Sequence, residues 1–149
     1  MTTVACNKEE MACDCQLTYG KSLIMKGTGK IIQVPEKSAT ELFGVKKALM
    51  GFCGNADQWA EVVYWLQALD GKPPKTPDME FLLLTAEKKI YHASSMKNWL
   101  EVADPFFAIG NGMSYAIAAM QAGKSPLEAC KISAKYDPFT GPPFKKFKL

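Results

Sequence analysis

The residue with the clearest chemical potential in this 149-residue chain is Thr2, which directly follows Met1. An initiator methionine is normally removed when a small residue such as threonine stands second, so Thr2 can carry a free α-amine. A threonine hydroxyl is a weak nucleophile near neutral pH and needs an adjacent base. A free α-amine has a pKa of about 7.7–8.0, close to the pH at which it would accept that proton. Thr2 is therefore a candidate N-terminal nucleophile, although very many proteins begin Met-Thr and the feature alone decides nothing.

The other groups that could do chemistry are five cysteines and a single histidine, His92. The odd cysteine count, with no basic segment leading into an apolar one at the N-terminus, predicts reduced thiols and a cytoplasmic location. Cys13 and Cys15 form a Cys-x-Cys pair, but zinc sites usually combine two spaced pairs of Cys or His, and no second pair is present. We therefore expect no metal and no cofactor, and we interpret these cysteines as small core residues.

Composition and charge argue against two classes of protein, nucleic-acid-binding proteins and membrane proteins. The formal net charge is +3, and all 18 basic residues are lysine. Arginine is the preferred residue for phosphate and base-edge recognition, so sequence-specific nucleic-acid binding is disfavoured. The longest apolar run, residues 81–85, is shorter than the about 20 residues that a membrane helix needs, so no membrane partner is expected. The C-terminal lysines alternate with Phe144 and Phe147, which could form a basic-aromatic tail. A closing strand with one apolar face explains them as well, and we favour it.

The elements that must position Thr2 are mostly β-strands in the first half of the chain. Short apolar or alternating runs bounded by turn residues predict these strands. They are residues 2–7, 10–17, 22–26 and 30–34, and a strand pair over 41–53 that bends near Gly44.

Helices dominate the second half. Asn55 is a good N-cap for a helix that ends near Gly71, and alanine-rich residues 113–122 predict a second helix. Ser125 followed by proline and acid opens a third helix that reaches about Tyr136. Strands are expected at 79–86, 89–93 and 105–110 and at the C-terminus, with a loop over 98–103. Blocks of helices between antiparallel hairpins predict one domain, 1–149, with an α+β fold in which helices cover two sheets, and several topologies stay open.

Five short motifs then recur in order over most of the chain. They are TTV (2–4), ACDCQLTYG (12–20), MKG with Lys30 (25–30), GFCGNAD (51–57) and AIGNGMSYA (108–116). Together they resemble bacterial HslV, the proteasome-related family of threonine-type N-terminal-nucleophile (Ntn) peptidases. The resemblance implies a four-layer αββα sandwich of antiparallel sheets. It also implies a compact version with one helical layer reduced, because only residues 71–78 stand where the family has a second long helix.

The resemblance also implies roles for single residues. Thr2 would be the nucleophile once Met1 is removed, with Asp14 and Lys30 where the family has its aspartate and lysine. A buried ammonium would activate the hydroxyl, and a carboxylate would hold that ammonium in place, although either residue alone could be a solvated strand residue. Gly54 is the candidate N–H donor to the oxyanion. Asn111 replaces the family's usual serine; it can hydrogen-bond but cannot relay a hydroxyl proton.

Three functions follow as hypotheses. The leading one is a peptidase in which Thr2 attacks a peptide carbonyl and water hydrolyses the acyl-enzyme ester. The resemblance implies a homo-oligomeric ring that admits peptides or unfolded proteins, while nothing in the chain itself supports an ATPase unfoldase partner. The alternative is a catalytically inactive proteasome-fold assembly or regulatory protein, which Asn111 and the short chain favour. A non-peptidase amide hydrolase is the third, since a fold does not fix a substrate.

Overall fold

The computed structural model describes residues 2–19, 22–26 and 29–149, and in those ranges the chain forms eleven strands and four helices. The strands are β1 (Thr3–Asn7), β2 (Glu10–Asp14), β3 (Gln16–Tyr19), β4 (Ser22–Lys26), β5 (Ile31–Gln33), β6 (Ala48–Gly54), β7 (Met79–Thr85), β8 (Ile90–Ala93), β9 (Leu100–Glu101), β10 (Phe106–Gly110) and β11 (Phe144–Lys148). The helices are α1 (Glu36–Phe43), α2 (Ala56–Ala68), α3 (Met113–Gln121) and α4 (Pro126–Tyr136).

The described strands pair antiparallel throughout. One sheet has the order β10-β1-β2-β11, a second has the order β5-β6-β7-β8-β9, and β3 pairs with β4 as a separate hairpin. In the four-stranded sheet, Thr3 lies opposite Gly110 and Asp14 lies opposite Phe144. This register brings the start of β1 and the end of β2 to the same edge of the molecule, which is where the candidate site lies.

The two larger sheets pack face to face. In β1, Val4 and Cys6 belong to the core between the sheets, whereas Ala5 belongs to the core under the helices. This alternation follows from the two-residue period of a strand, and it shows that β1 is covered on both faces. Leu82 and Leu84 of β7 supply the facing side of the inter-sheet core. Because both faces of β1 are buried, apolar residues occupy consecutive positions of this strand instead of alternating with polar ones.

Each of the two larger sheets carries a pair of helices on its outer face. The helices α3 and α4 pack on the four-stranded sheet, where small residues such as Ala5, Ala12 and Ala108 allow close approach. The helices α1 and α2 cover the five-stranded sheet, and Phe52 stacks on Trp59 of α2 with ring centroids 4.2 Å apart. The layers therefore run α, β, β, α, as the predicted sandwich requires. No helix lies between the end of α2 and the start of β7, as predicted, and the second helix of that layer is α1, which precedes β6.

Local capping signals account for the helix ends. The Asn55 side chain accepts hydrogen bonds from the backbone N–H groups of Asp57 and Gln58, at 2.8 and 3.2 Å. Ser125 and Glu128 form a reciprocal capping box at the start of α4. Such caps satisfy N–H groups that have no partner inside the helix. The predicted beginnings of α2 and α4 are confirmed.

The prediction of a strand pair over 41–53 is wrong in its first part. Residues 36–43 form helix α1, and only β6 is a strand. The prolyl ring of Pro35 fixes φ at −52°, and Gly44 ends the helix in the left-handed region with φ of +67°. The apolar pair Leu42 and Phe43 resembles the start of a strand but lies in the last helical turn. The expected loop over 98–103 also contains the two-residue strand β9.

Candidate active site

Thr2 lies directly before β1 and is almost completely buried, with 2% of its surface exposed. Gly110, at the end of the neighbouring strand β10, has φ of +95°. A Cβ atom on Gly110 would lie 1.9 Å from the carbonyl oxygen of Thr2. The absence of a side chain at this position is therefore what lets the Thr2 backbone lie against β10. Gly110 was not among the candidate site residues, and its signal is the glycine within the AIGNG motif.

Asp14 occupies the end of β2 and has no exposed surface. Its carboxylate accepts hydrogen bonds from three backbone N–H groups, those of Thr3 at 3.0 Å, Gln16 at 3.3 Å and Gly141 at 3.2 Å. It also accepts a hydrogen bond from the Thr2 hydroxyl. A buried carboxylate is costly unless hydrogen bonds and a cation compensate it. The backbone donors fix its position from three separate segments of the chain.

The cation is Lys30, which directly precedes β5 and has 2% of its surface exposed. Its Nζ lies 2.9 Å from Asp14 Oδ1 and 2.6 Å from the backbone carbonyl oxygen of Gln16. It also donates to the hydroxyl of Thr2. An ammonium group has three N–H donors, and all three are used here. Lys30 is thus held at the Thr2 hydroxyl and has no donor left for another role.

The Thr2 hydroxyl therefore lies between a carboxylate and an ammonium. It donates to Asp14 Oδ1 and accepts from Lys30 Nζ. A fixed positive charge beside an oxygen favours the development of negative charge on that oxygen. Of the residues singled out from the sequence, the structure brings these three into direct contact. The arrangement can support an alkoxide at Thr2, provided that a base takes the proton.

A cleft of about 460 Å³ opens on the other side of Thr2. Its walls come from the end of β6, the start of β7 and the turn after β10. They are formed by Thr2, Cys53, Gly54, Pro77, Asp78, Met79, Glu80, Ser94, Gly110 and Asn111. The cleft thus contains the two remaining residues singled out from the sequence, Gly54 and Asn111, beside Thr2. Gly54 has φ of +119°, and a Cβ there would meet the carbonyl oxygen of Asp78 at 2.0 Å, so a glycine is required at this wall.

A second polar network was missed from the sequence. The hydroxyl groups of Thr3 and Thr140 lie 2.7 Å apart, and Thr140 donates to the carboxylate of Asp137 at 2.5 Å. All three residues are buried. The network fastens the turn after α4 to the start of β1, which brings the N–H of Gly141 to Asp14. The available signal was the turn sequence DPFTG at 137–141, but its partner Thr3 stands 137 positions away along the chain.

The five cysteines are all free and buried. A hydrogen bond with Cys13 lowers the pKa of the Cys15 thiol, but Cys15 has no exposed surface at which to meet a substrate. Burial, followed by the charge of the nearby Glu80 carboxylate, raises the pKa of the Cys53 thiol to about 12. A hydrogen bond to Cys15, followed by burial, raises the pKa of the Cys13 thiol far above its usual range. A thiol is nucleophilic as the thiolate, so both groups are inert near neutral pH. Among the described residues no group of three or more potential ligands could hold a metal ion.

Within the part of the chain that the structure describes, no helix combines the length and apolar character needed to cross a bilayer.

Comparison with solved structures defines the class of fold, which is HslV/proteasome-β-like. Thiobacillus denitrificans BPH superposes with a TM-score of 0.73 at 16% sequence identity and covers 99% of this chain and 96% of its own. Eukaryotic HslV from Trypanosoma brucei gives 0.68 at 16% identity, over 98% and 97% of the two chains. The Anbu (Gly-1) mutant from Hyphomicrobium sp. strain MC1 gives 0.75 at 12% identity, over 100% and 82%. At these identities the likeness defines the fold.

Sequence comparison defines the family more narrowly. No protein-family model matches the chain. The ATP-dependent protease subunit HslV of Pediococcus pentosaceus is 30% identical over 138 residues, which cover 84% of this chain and 73% of that protein. The chain belongs to the HslV family. Its family is that of proteasome-class threonine peptidases, as the resemblance of the sequence motifs implied.

Proposed function

We propose that this chain hydrolyses peptide bonds with Thr2 as its N-terminal nucleophile once Met1 is removed. The observation that carries the proposal is the contact of the Thr2 hydroxyl with the buried Lys30 ammonium, which Asp14 holds in place. A buried ion pair that touches a hydroxyl beside a cleft is a costly arrangement, and such arrangements are typical of catalytic sites. Membership of the HslV family supports the same reaction.

The steps follow from the groups around Thr2. The free α-amine of Thr2 takes the hydroxyl proton as Oγ1 attacks the carbonyl carbon, while Lys30 stabilises the developing negative charge on the attacking oxygen. The backbone N–H of Gly54 is the proposed donor to the tetrahedral oxyanion. The protonated α-amine gives that proton to the leaving nitrogen as the C–N bond breaks, and an ester then links the substrate to Thr2. Water activated by the same α-amine hydrolyses that ester. Asn111 is the proposed hydrogen-bonding partner that holds the amine.

The substrate and the assembly are part of the proposal. We expect peptides and unfolded proteins as substrates, a single domain over 1–149, and a homo-oligomeric ring that encloses the cleft. The Pediococcus relative is a subunit of an ATP-dependent protease, which supports an oligomer. An ATPase partner for this chain has only that relative's name in its favour. Gel filtration with light scattering would measure the number of subunits directly.

One observation favours a second candidate function. Asn111 lies in the wall of the cleft beside Thr2, where the family's usual residue is a serine. An asparagine cannot relay a hydroxyl proton. A chain that had lost catalysis but kept the fold would serve as an assembly or regulatory protein. This candidate and the peptidase differ in whether peptides are cleaved and in whether the Thr2 amine is free.

The test compares the purified protein with its Thr2→Ala variant on fluorogenic peptides, after N-terminal sequencing has established whether Thr2 is the first residue. We expect hydrolysis by the protein and a loss of at least about a thousandfold in the variant, because removal of a nucleophile abolishes the covalent route. Thr40→Ala, at an exposed position on α1, is the matched control and should leave the rate unchanged. Equal activity of Thr2→Ala and the unaltered protein would contradict the proposal. An inactive protein with a free N-terminal Thr2 would favour the regulatory function.

A further inference from the structure

Glu80 has an unusual position for a charged residue. It lies two residues before Leu82 and four before Leu84, both of which are buried in the core between the sheets. Because side chains on a strand alternate between faces, Glu80 points to the same inner face as these leucines. It is only partly buried because it stands near the start of β7, where the cleft opens. Its side chain is 46% exposed and lines the cleft that contains Thr2.

The cleft is acidic although the chain as a whole has a net charge of +3. Its described lining contains two acidic residues, Glu80 and Asp78, and no lysine. The nearest fixed cation to Thr2 is Lys30, but its three donors are already bound to Thr2, Asp14 and Gln16. Apart from the α-amine that Thr2 carries once Met1 is removed, the charged residues of the lining are acidic, and a cleft with a predominance of one sign of charge concentrates ligands of the opposite sign. The lining therefore favours cationic ligands.

The carboxylate of Glu80 is incompletely paired. Its closest basic neighbour is His92, whose Nε2 lies 3.5 Å from Glu80 Oε2. This exceeds the usual N–H···O distance of about 2.7–3.2 Å, and an ionised carboxylate can accept several hydrogen bonds. Glu80 also stands opposite Cys53, which lines the cleft beside Gly54, and its charge contributes to the raised pKa of the Cys53 thiol. The charge of Glu80 therefore affects at least one other group of the cleft wall, the Cys53 thiol.

We propose that Glu80 makes this cleft selective for peptides that carry a lysine or arginine side chain next to the cleaved bond. This inference rests on the proposed peptidase function, because it assigns the substrate class of the same cleft. An ammonium or a guanidinium in the cleft would form a charge-assisted hydrogen bond to the Glu80 carboxylate. Asp78 is a second acidic residue in the lining of the same cleft. A peptide with glutamate at that position would meet two like charges instead.

The test measures binding in the Thr2→Ala variant, so that it does not depend on cleavage. Two fluorescein-labelled peptides differ only at the central residue, which is lysine in one and norleucine in the other. Fluorescence anisotropy gives the dissociation constant of each. We expect the lysine peptide to bind about fivefold more tightly, the size typical of a partly exposed ion pair. Glu80→Gln in the same background should abolish the difference, and Glu80→Lys should reverse it for a glutamate peptide.

Glu101→Gln is the matched control. Glu101 is also a strand residue, its side chain is 54% exposed, and its pairing with Lys89 at 3.9 Å is looser than that of Glu80 with His92 at 3.5 Å. It lies outside the cleft, so its substitution should keep the preference for lysine. Equal affinities of the two peptides, undetectable binding of the lysine peptide, or a preference that survives Glu80→Gln would overturn the inference. A lysine preference in Thr2→Ala, together with no hydrolysis by the unaltered protein, would overturn the peptidase proposal and support only the preference of the cleft for cationic side chains.

Discussion

The charged side chains on the two sides of Thr2 differ in burial and in pairing. On one side, Asp14 and Lys30 are buried, paired and fully hydrogen-bonded. On the other side, Asp78 and Glu80 line the open cleft, and Glu80 is loosely paired with His92 at 3.5 Å. A buried pair is fixed in geometry and expensive to disturb, whereas an exposed carboxylate is free to bind a ligand. The comparison suggests that the buried side sets the reactivity of the hydroxyl and the open side selects what reaches it.

The largest expected effect is on the buried side. Lys30→Met keeps the length of the side chain but leaves the Asp14 carboxylate buried without its cation. We expect the free energy of unfolding to fall by about 3–5 kcal/mol, the usual cost of breaking a buried ion pair. Urea unfolding followed by circular dichroism measures it. Lys146→Met on the exposed face of β11 is the control and should change the stability by less than about 0.5 kcal/mol.

A double variant sharpens this result. Asp14→Asn combined with Lys30→Met removes both charges, so it should recover part of the lost stability while peptide hydrolysis stays absent. Recovery of stability without activity would separate the structural role of the pair from its chemical role. A loss below about 1 kcal/mol in Lys30→Met would mean that the pair is not buried as described.

A smaller loss of stability is expected from a substitution at Gly110, which contacts the backbone of Thr2 between the buried ion pair and the open cleft. An alanine there would adopt a strained positive φ and would place its Cβ against the Thr2 carbonyl oxygen. We expect Gly110→Ala to cost about 1–3 kcal/mol and to lower kcat/KM at least about tenfold, because Thr2 must move. Gly123→Ala is the matched control, since Gly123 has a similar φ of +88° but open space around its Cβ position. It should lose stability and keep its activity; an unchanged rate in Gly110→Ala would show that Thr2 tolerates the displacement.

The smallest effect on stability is expected on the open side. Glu80→Gln should change the free energy of unfolding by less than about 0.5 kcal/mol, because its carboxylate is half exposed and loosely paired. The same urea unfolding experiment measures the stability of this variant and that of Lys30→Met. A loss comparable to that of Lys30→Met would erase the distinction between the two sides and would make Glu80 a structural residue.

The parts of this molecule that the sequence reveals are those with local signals. Asn55 and Ser125 mark the starts of α2 and α4 because a cap acts within three residues of itself. Helix α1 escaped prediction because its signals, Pro35 and Gly44, also fit a strand that ends and a bend that follows. The apolar pair at 42–43 then suggested the wrong element.

In the candidate site, too, the residues with a sequence motif could be predicted and the long-range contacts could not. Thr2, Asp14 and Lys30 were singled out because ordered motifs resemble a family, and the structure brings them together. Their catalytic roles stay predictions. The contacts of Asp14 with Gly141, and of Thr3 with Thr140, join residues 127 and 137 positions apart. No spacing rule connects such residues, because their proximity follows from the packing of β11 and α4 on the four-stranded sheet.

The most direct test of the central claim is covalent labelling of Thr2 by a peptide epoxyketone, read by intact mass and by sequencing of the labelled N-terminal peptide. We predict one adduct per chain, located on Thr2, and none in Lys30→Met under the same conditions. An adduct on Cys53 or elsewhere, or no adduct on a chain whose Thr2 amine is free, would contradict the assignment of Thr2 as the nucleophile.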